Sequence, residues 1–198
     1  MPDDRALPVA FRAVSSTELP DLRDGIIDVY RDAFAQPPYH RGEEDLRDFA
    51  ESFARHATFD GFQAILARSQ PGGDVVGFTY GYTLAPGQWW YERVAPLVPA
   101  ARSISLLGAF LLTQLAVRPG LQGRGIGGRL HDALLAGVPH DRALLSTRQG
   151  DSPARHLYER RGWRPLLRDV AFPGAGHPYM VLVRELPRQA AEMPRCSA

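Results

Sequence analysis

Five glycines fall within nine residues between Gly120 and Gly128 (GLQGRGIGG), and Arg118, Arg124 and Arg129 stand around them. Glycine allows positive φ and lets a backbone come close to a ligand. Before this loop, Ala109 to Val117 (AFLLTQLAV) is an apolar run with one polar interruption at Gln114. Its length and its bounds, Gly108 and Pro119, predict a buried strand. After it, Leu130, Ala133, Leu134 and Gly137 recur at steps of three and four, which predicts a helix from Arg129. The first amides of a helix have no partner inside it, and its dipole adds roughly half a positive charge at that end. Strand, glycine loop and helix therefore make an anion site suited to a phosphate or pyrophosphate.

Two nucleotide motifs can be weighed against this loop. The P-loop requires a lysine, and the chain has none; every basic side chain other than histidine is arginine. The dinucleotide fingerprint GxGxxG is formally present as Gly123, Gly125 and Gly128. In that fold the first glycine closes the turn directly after the strand, whereas here Arg118 to Gln122 intervene. The acidic residue should also follow the next strand. Here Asp141 precedes that strand, Ala143 to Thr147, and Arg148 follows it.

The elements that must position this loop fit in one domain. The chain has 198 residues, with 44% apolar and 23% charged. These values are ordinary for a soluble globular protein of this length. A net charge of +1 argues against a nucleic-acid partner. No apolar run is long enough to span a membrane, and the first residues lack a signal-peptide pattern. The one cysteine, Cys196, has no partner for a disulfide and no companion ligands for zinc, so no metal site is expected. A cytoplasmic setting follows.

Alternation at Leu7, Val9, Phe11 and Ala13 predicts a first strand over 7–14. Leu22, Ile26, Val29, Tyr30 and Ala33 mark a helix that Gln36-Pro37-Pro38 stops. A second helix runs from about Glu43 to His56, with Leu46, Phe49, Ala50 and Phe53 on its apolar stripe. Phe62 to Arg68 and Val75 to Leu84 read as a hairpin around Pro71-Gly72-Gly73-Asp74. Gly77 and Gly81 share one face of its second strand, where something packs closely. Pro86 to Ser105 is an irregular connection carrying Trp89, Trp90 and Glu92; its length suits either a lid or a cap on the core. Ser152, Pro153 and Gly162 punctuate a late helix as N-cap, first turn and C-cap. Arg164 to Phe172 and Tyr179 to Leu186 are two further strands. Residues 1–186 form the expected domain, and 187–198 lack periodicity and read as a tail.

Gln122-Gly123-Arg124-Gly125-Ile126-Gly127 resembles the R/Q-x-x-G-x-G/A signature of the GNAT superfamily of N-acyltransferases. Ala154-x-x-Leu157-Tyr158-Glu159-x-x-Gly162-Trp163 resembles a second GNAT segment, A-x-x-L-Y-x-x-x-G-F/W. The close resemblance covers roughly residues 108–186. It implies an α/β fold of α+β type: a mixed, mostly antiparallel central sheet flanked by helices, with two parallel strands that splay apart. By position those strands are Ala109 to Val117 and Ala143 to Thr147. It further implies acetyl-coenzyme A (acetyl-CoA) as acyl donor. Backbone groups of Leu115, Ala116 and Val117 would pair with its pantetheine arm, and amides from Gln122 to Gly128 would hold its pyrophosphate. Arg124 would add a side-chain contact, and Asp151 or Ser152 would stand in for an asparagine that relatives use.

The same resemblance makes Tyr158 the general acid for the departing thiolate. A phenol near pKa 10 can donate to a thiolate whose conjugate acid lies near 8.5. Relatives often carry a glutamate base where this chain has Gln114, so another group, a water chain or an acceptor of low amine pKa must take over, and Glu92 is the leading substitute. Tyr39, Trp89 and Trp90 would line the acceptor side. The expected partner is a small-molecule or peptide amine, and a homodimer is compatible with the sequence. The reading is an N-acetyltransferase acting by direct attack in a ternary complex. The alternative, kept open by Gln114, is a GNAT-like module that binds acyl-CoA without turnover.

Overall fold

The computed structural model describes residues 8–37, 39–70, 73–99 and 104–187. Leu7, Pro38, Pro71, Gly72 and the expected tail beyond 187, with Cys196, lie outside the described residues.

The described residues form one seven-stranded sheet. In chain order its elements are β1 (Ala10–Val14), α1 (Leu19–Phe34), α2 (Glu43–His56), β2 (Gln63–Arg68), β3 (Val75–Thr83), α3 (Trp89–Val94), β4 (Phe110–Val117), α4 (Ile126–Ala136), β5 (Arg142–Arg148), α5 (Pro153–Glu159), β6 (Arg164–Val170) and β7 (Tyr179–Glu185). The strand order is β1-β2-β3-β4-β5-β7-β6. Every neighbouring pair is antiparallel except β4–β5. The mixed, mostly antiparallel sheet is the expected one. It is incompatible with the doubly wound parallel sheet that a dinucleotide fingerprint needs.

β4 and β5 pair through only two positions, Phe110 with Ala143 and Leu111 with Leu144. Two residues further on, β4 bulges. Tyr80 lies opposite Gln114 and Gly81 opposite Leu112, so Thr113 is the extra residue. A bulge bends its strand and increases the local twist. Here it marks the point where β4 leaves β5, and the splay expected between these strands is present.

Helices cover both faces. α1 and α2 pack Ile26, Val29, Phe49 and Phe53 onto Phe78, Tyr80 and Ala116. α3 extends that layer, with Trp90 and Val94 over Leu111 and Leu144. α4 and the rings of Tyr158 and Trp163 cover the opposite face, against Ile65, Leu112 and Val117. Gly77 and Gly81 behave as predicted: a Cβ on Gly81 would stand 2.3 Å from the Leu111 carbonyl oxygen, and one on Gly77 3.0 Å from Leu130.

Two boundaries differ from the sequence expectation. The helix after the glycine loop begins at Ile126 and not at Arg129, because Gly127 and Gly128 are its first turn and carry no side chain to register in a periodic pattern. The 86–105 connection is not wholly irregular. Trp89 to Val94 form a helix, which the prolines that follow confine to six residues.

Candidate active site

The anion loop is built mainly from backbone. After β4, residues Pro119–Leu121 make a tight turn and Gln122 is extended. Gly123 and Gly125 have φ of 75° and 80°, the left-handed region, and no atom lies within 4 Å of where a Cβ would be. They are needed for backbone conformation, and their open side leaves room for a ligand. The first intrahelical bond of α4 runs from Arg129 N–H to the Gly125 carbonyl at 3.1 Å. The amides of Ile126, Gly127 and Gly128 therefore precede the helical ladder and are available to an anion.

The side chains around the loop have more specific roles than their types suggest. Gln122 Nε2 donates to the Val117 carbonyl at 2.9 Å, tying the loop to the end of β4. Arg118 turns away, donating to Asp32 at 2.6 Å and to the Val75 carbonyl at 3.1 Å. Arg129 lies over the Phe11 ring, 4.1 Å from its centroid. Of the three arginines expected to charge the loop, Arg124 alone is exposed and without such a partner among the described residues. Gly128 serves packing, since a Cβ there would lie 2.3 Å from the Arg161 guanidinium. Ser152 caps α5, accepting from Arg155 N–H at 3.2 Å.

The edge of β4 faces the fork. Arg118 N–H bonds the Val76 carbonyl, so alternation turns Ala116's N–H and C=O to β3 as well. Leu115 and Val117 present theirs to the gap. Ala116, expected with them, is therefore directed away from it.

A cavity of about 460 Å³ opens at this fork. Tyr158, Gln114, Leu115 and Thr113 line it from the sheet side, and Tyr30, Tyr39 and Asp48 from α1, α2 and the segment between them. Tyr158 is buried, and desolvation, with Tyr39 adding to it, holds its phenol well above the ordinary value of 10. It carries its proton at neutral pH. Tyr39 is raised for the same reason, partly offset by Arg148, which sits 5.5 Å from its ring centroid.

The two tryptophans separate in role. Trp90 is buried and donates its indole N–H to Ser146 Oγ at 2.7 Å, bridging α3 to β5. Trp89 is 52% exposed at the cavity mouth, its ring 5.6 Å from Phe172. Glu92, the expected base, does not reach the cavity. It is exposed, and its carboxylate accepts the Gly87 N–H at 2.7 Å, closing the turn before α3.

The carboxylates that do line the cavity come from α2. Asp45 is held by Arg41 and by the Gly42 N–H at 2.9 Å; the Gly42 bond is the first cause of its lowered pKa. Asp48 has no such partner among the described residues and is exposed to the cavity. The sequence signal for these groups was present. Asp45, Asp48, Ser52 and Arg55 follow one another at steps of three and four, beside the apolar stripe that drew the helix assignment. Among the described residues, no cluster of three or more His, Cys, Asp or Glu could hold a metal, and no helix is long and apolar enough to cross a membrane.

A forked sheet, a bare helix start at the fork and a cavity running through it define an acyltransferase architecture. The chain belongs to the GNAT acetyltransferase family, whose model (acetyltransferase, GNAT family) matches residues 26–163. A GCN5-like protein acetyltransferase of Mycobacterium tuberculosis is 33% identical, the match covering 80% of this chain and 89% of that protein. The ribosomal-protein-S18-alanine N-acetyltransferase of Escherichia coli shares the fold with a TM-score of 0.61 at 14% identity, over 94% of this chain and 99% of that one. NAA60 of Arabidopsis thaliana, solved with acetyl-CoA, superposes with a TM-score of 0.57 at 21% identity, over 90% and 98%.

Proposed function

We propose that the protein transfers an acetyl group from acetyl-CoA to a primary amine by direct attack in a ternary complex. One observation carries the reading: Tyr158, a buried phenol, lines a cavity at the fork whose β4 edge leads to the anion loop.

The residues present fit the donor. The free amides of Ile126, Gly127 and Gly128 suit its pyrophosphate, with Arg124 alongside. Leu115 and the Val117 N–H offer strand-like edge groups to its amide-bearing arm. When bound, it supplies a thioester carbonyl open to nucleophilic attack.

The acceptor arrives as an ammonium with a pKa near 10.4 and must lose a proton before attack. Asp48 takes the part expected of Glu92, because it is the lining carboxylate without a cationic partner among the described residues. It draws the ammonium in and accepts its proton, directly or through water. Tyr158 gives its proton to the leaving sulfur. The aromatic wall of Tyr30, Tyr39 and Trp89 holds the apolar part of the acceptor and excludes water. The relative's name concerns protein acetylation, which supports an amine presented on a polypeptide as one acceptor class.

The second reading, a module that binds acyl-CoA without turnover, is favoured by Gln114, an amide at the cavity where many relatives place a carboxylate. Coenzyme A release across pools of amines, for the wild type and Tyr158→Phe, separates the two. Acceptor-dependent release that the variant loses supports transfer. Stabilisation by acetyl-CoA with no release for any amine overturns it in favour of the binding module.

A further inference from the structure

A second cavity, about 340 Å³, lies beside the first on the α2–α3 face. The two share Trp89, Trp90, Leu112, Thr113 and Ser146, so the indole of Trp90 and the bulge of β4 form a common wall. α2 runs along both. Its Asp45 and Asp48 face the first cavity, and its Ser52, Arg55 and His56 face the second. One helix face thus carries carboxylates at one end and hydrogen-bond donors at the other.

The arginine at the donor end is not among those held by a carboxylate. Arg41, Arg118, Arg142, Arg155 and Arg161 each pair with a carboxylate. Arg55 has no carboxylate partner among the described residues; its guanidinium reaches only Ser52 Oγ, at 3.2 Å. Beside it, His56 Nδ1 lies 3.2 Å from the Tyr80 hydroxyl. Tyr80 is 2% exposed and its hydroxyl has no other acceptor in reach among the described residues, so its O–H donates to Nδ1. The imidazole then carries its hydrogen on Nε2 and is a neutral donor toward the cavity. Burial keeps it uncharged at neutral pH, its pKa pushed down to about 4. A guanidinium lacking a carboxylate, an imidazole N–H and a hydroxyl at one cavity make a recognition set for a carboxylate.

We infer that the second cavity is a subsite for a carboxylate carried by the acceptor, with the reacting amine in the first cavity beside Asp48. This rests on the acetyl-transfer reading. Asp48 and Arg55 are seven residues apart on α2, about 10 Å of helix rise, which sets the order of the separation between amine and carboxylate. The carboxylate belongs either to a free amino acid or to an acidic side chain near a lysine in a peptide.

The test uses ω-amino carboxylates of increasing chain length, their methyl esters, and diamines of equal length. Binding to the full chain saturated with coenzyme A is measured by calorimetry, so the result does not depend on turnover. The carboxylates should bind roughly tenfold or more tighter than the esters, best when amine and carboxylate span on the order of 10 Å. Arg55→Gln should remove that preference, and Arg55→Glu should turn it toward the diamines. A lysine-centred peptide with neighbouring glutamate, compared with glutamine, distinguishes the two sources. Equal binding of carboxylate and ester by the wild type, or no binding of either, overturns the subsite. Turnover with acetyl-CoA is scored separately: selective binding without release of coenzyme A counts against acetyl transfer and leaves the subsite standing.

Discussion

Trp163 donates its indole N–H to Nε2 of His131 at 2.8 Å, inside the core beneath Tyr158. That bond fixes the imidazole's hydrogen on Nδ1, which meets Asp132 at 2.7 Å. Arg161 grips the same carboxylate with two bonds, at 2.7 and 3.0 Å. The Tyr158 ring stands 6.1 Å from His131 and 5.9 Å from Trp163. A polar chain thus ties α4, whose start is the anion loop, to the turn that follows α5, the helix that carries the acid.

The buried imidazole gives the stability a defined pH dependence. Burial outweighs the Asp132 contact and lowers His131 from 6.5 to about 4. Below about pH 6.5 the unfolded chain binds a proton that the folded chain refuses, so stability falls as the pH drops toward 4. The loss attributable to this residue is at most roughly 3 kcal/mol. His56 shifts in the same direction, so the comparison must isolate His131. His131→Gln, which keeps an acceptor for Trp163, should flatten the slope of unfolding free energy between pH 4 and 6.5 in urea titrations. A slope identical to that of the wild type would count against it.

Removing the donor strands the acceptor. Trp163→Phe leaves Nε2 of His131 buried without its partner, at a cost of about 1–3 kcal/mol beyond lost packing. Melting should fall by several degrees for a chain of this size. If Trp163 also holds the acid, its effect on kcat should be largely absent in a Tyr158→Phe background. Additive losses in that double-mutant cycle would make the contact purely structural.

The glycines of the loop should respond differently to alanine. At Gly125, φ is 80° and a Cβ meets nothing, so Gly125→Ala carries about 1–2 kcal/mol of backbone strain at the mouth of the anion site. Its KM for acetyl-CoA should rise. At Gly128 the backbone is helical, and only the Arg161 guanidinium stands in the way. Arg161 must shift, but alanine gains about 1 kcal/mol of helix propensity. Gly128→Ala should stay within about 1 kcal/mol of the wild type and keep its KM for acetyl-CoA. Steady-state kinetics with melting curves decides both.

These contrasts bear on what the sequence made legible. The sequence predicts α2 from about Glu43 to His56 and the helix occupies those bounds, because an apolar stripe and an acidic first turn agree. The fork followed from the family resemblance, and the bulge at Thr113 that accompanies it left no composition signal. The start of α4 was misplaced because glycine is silent in a periodic pattern. The arginines around the loop were counted by type, but Arg118 and Arg129 are engaged by Asp32 and Phe11, which lie about ninety or more residues away in sequence. Glu92 failed for a local reason: a carboxylate five residues after Gly87 closes its own turn. Asp48 was within reach of periodicity, but a polar residue on an amphipathic helix reads as solvent-facing until the neighbouring strands are placed.

Tyr158 is held protonated by burial, so Tyr158→Phe should lower kcat by roughly a hundredfold while the KM for acetyl-CoA changes little. In the wild type, activity should not fall through the ordinary tyrosine value near pH 10, because the raised pKa keeps the acid loaded beyond it. Asp48→Asn removes the one lining carboxylate without a cationic partner among the described residues, so its kcat/KM for the amine should drop, and the drop should shrink as the pH rises and free amine accumulates. Glu92→Gln alters a surface turn and should leave kcat/KM within about twofold. pH–rate profiles of the three variants against one amine test the set. An Asp48→Asn profile that matches the wild type, beside a collapsed Glu92→Gln, would return the base to α3 and require that helix to close over the cavity when substrate binds.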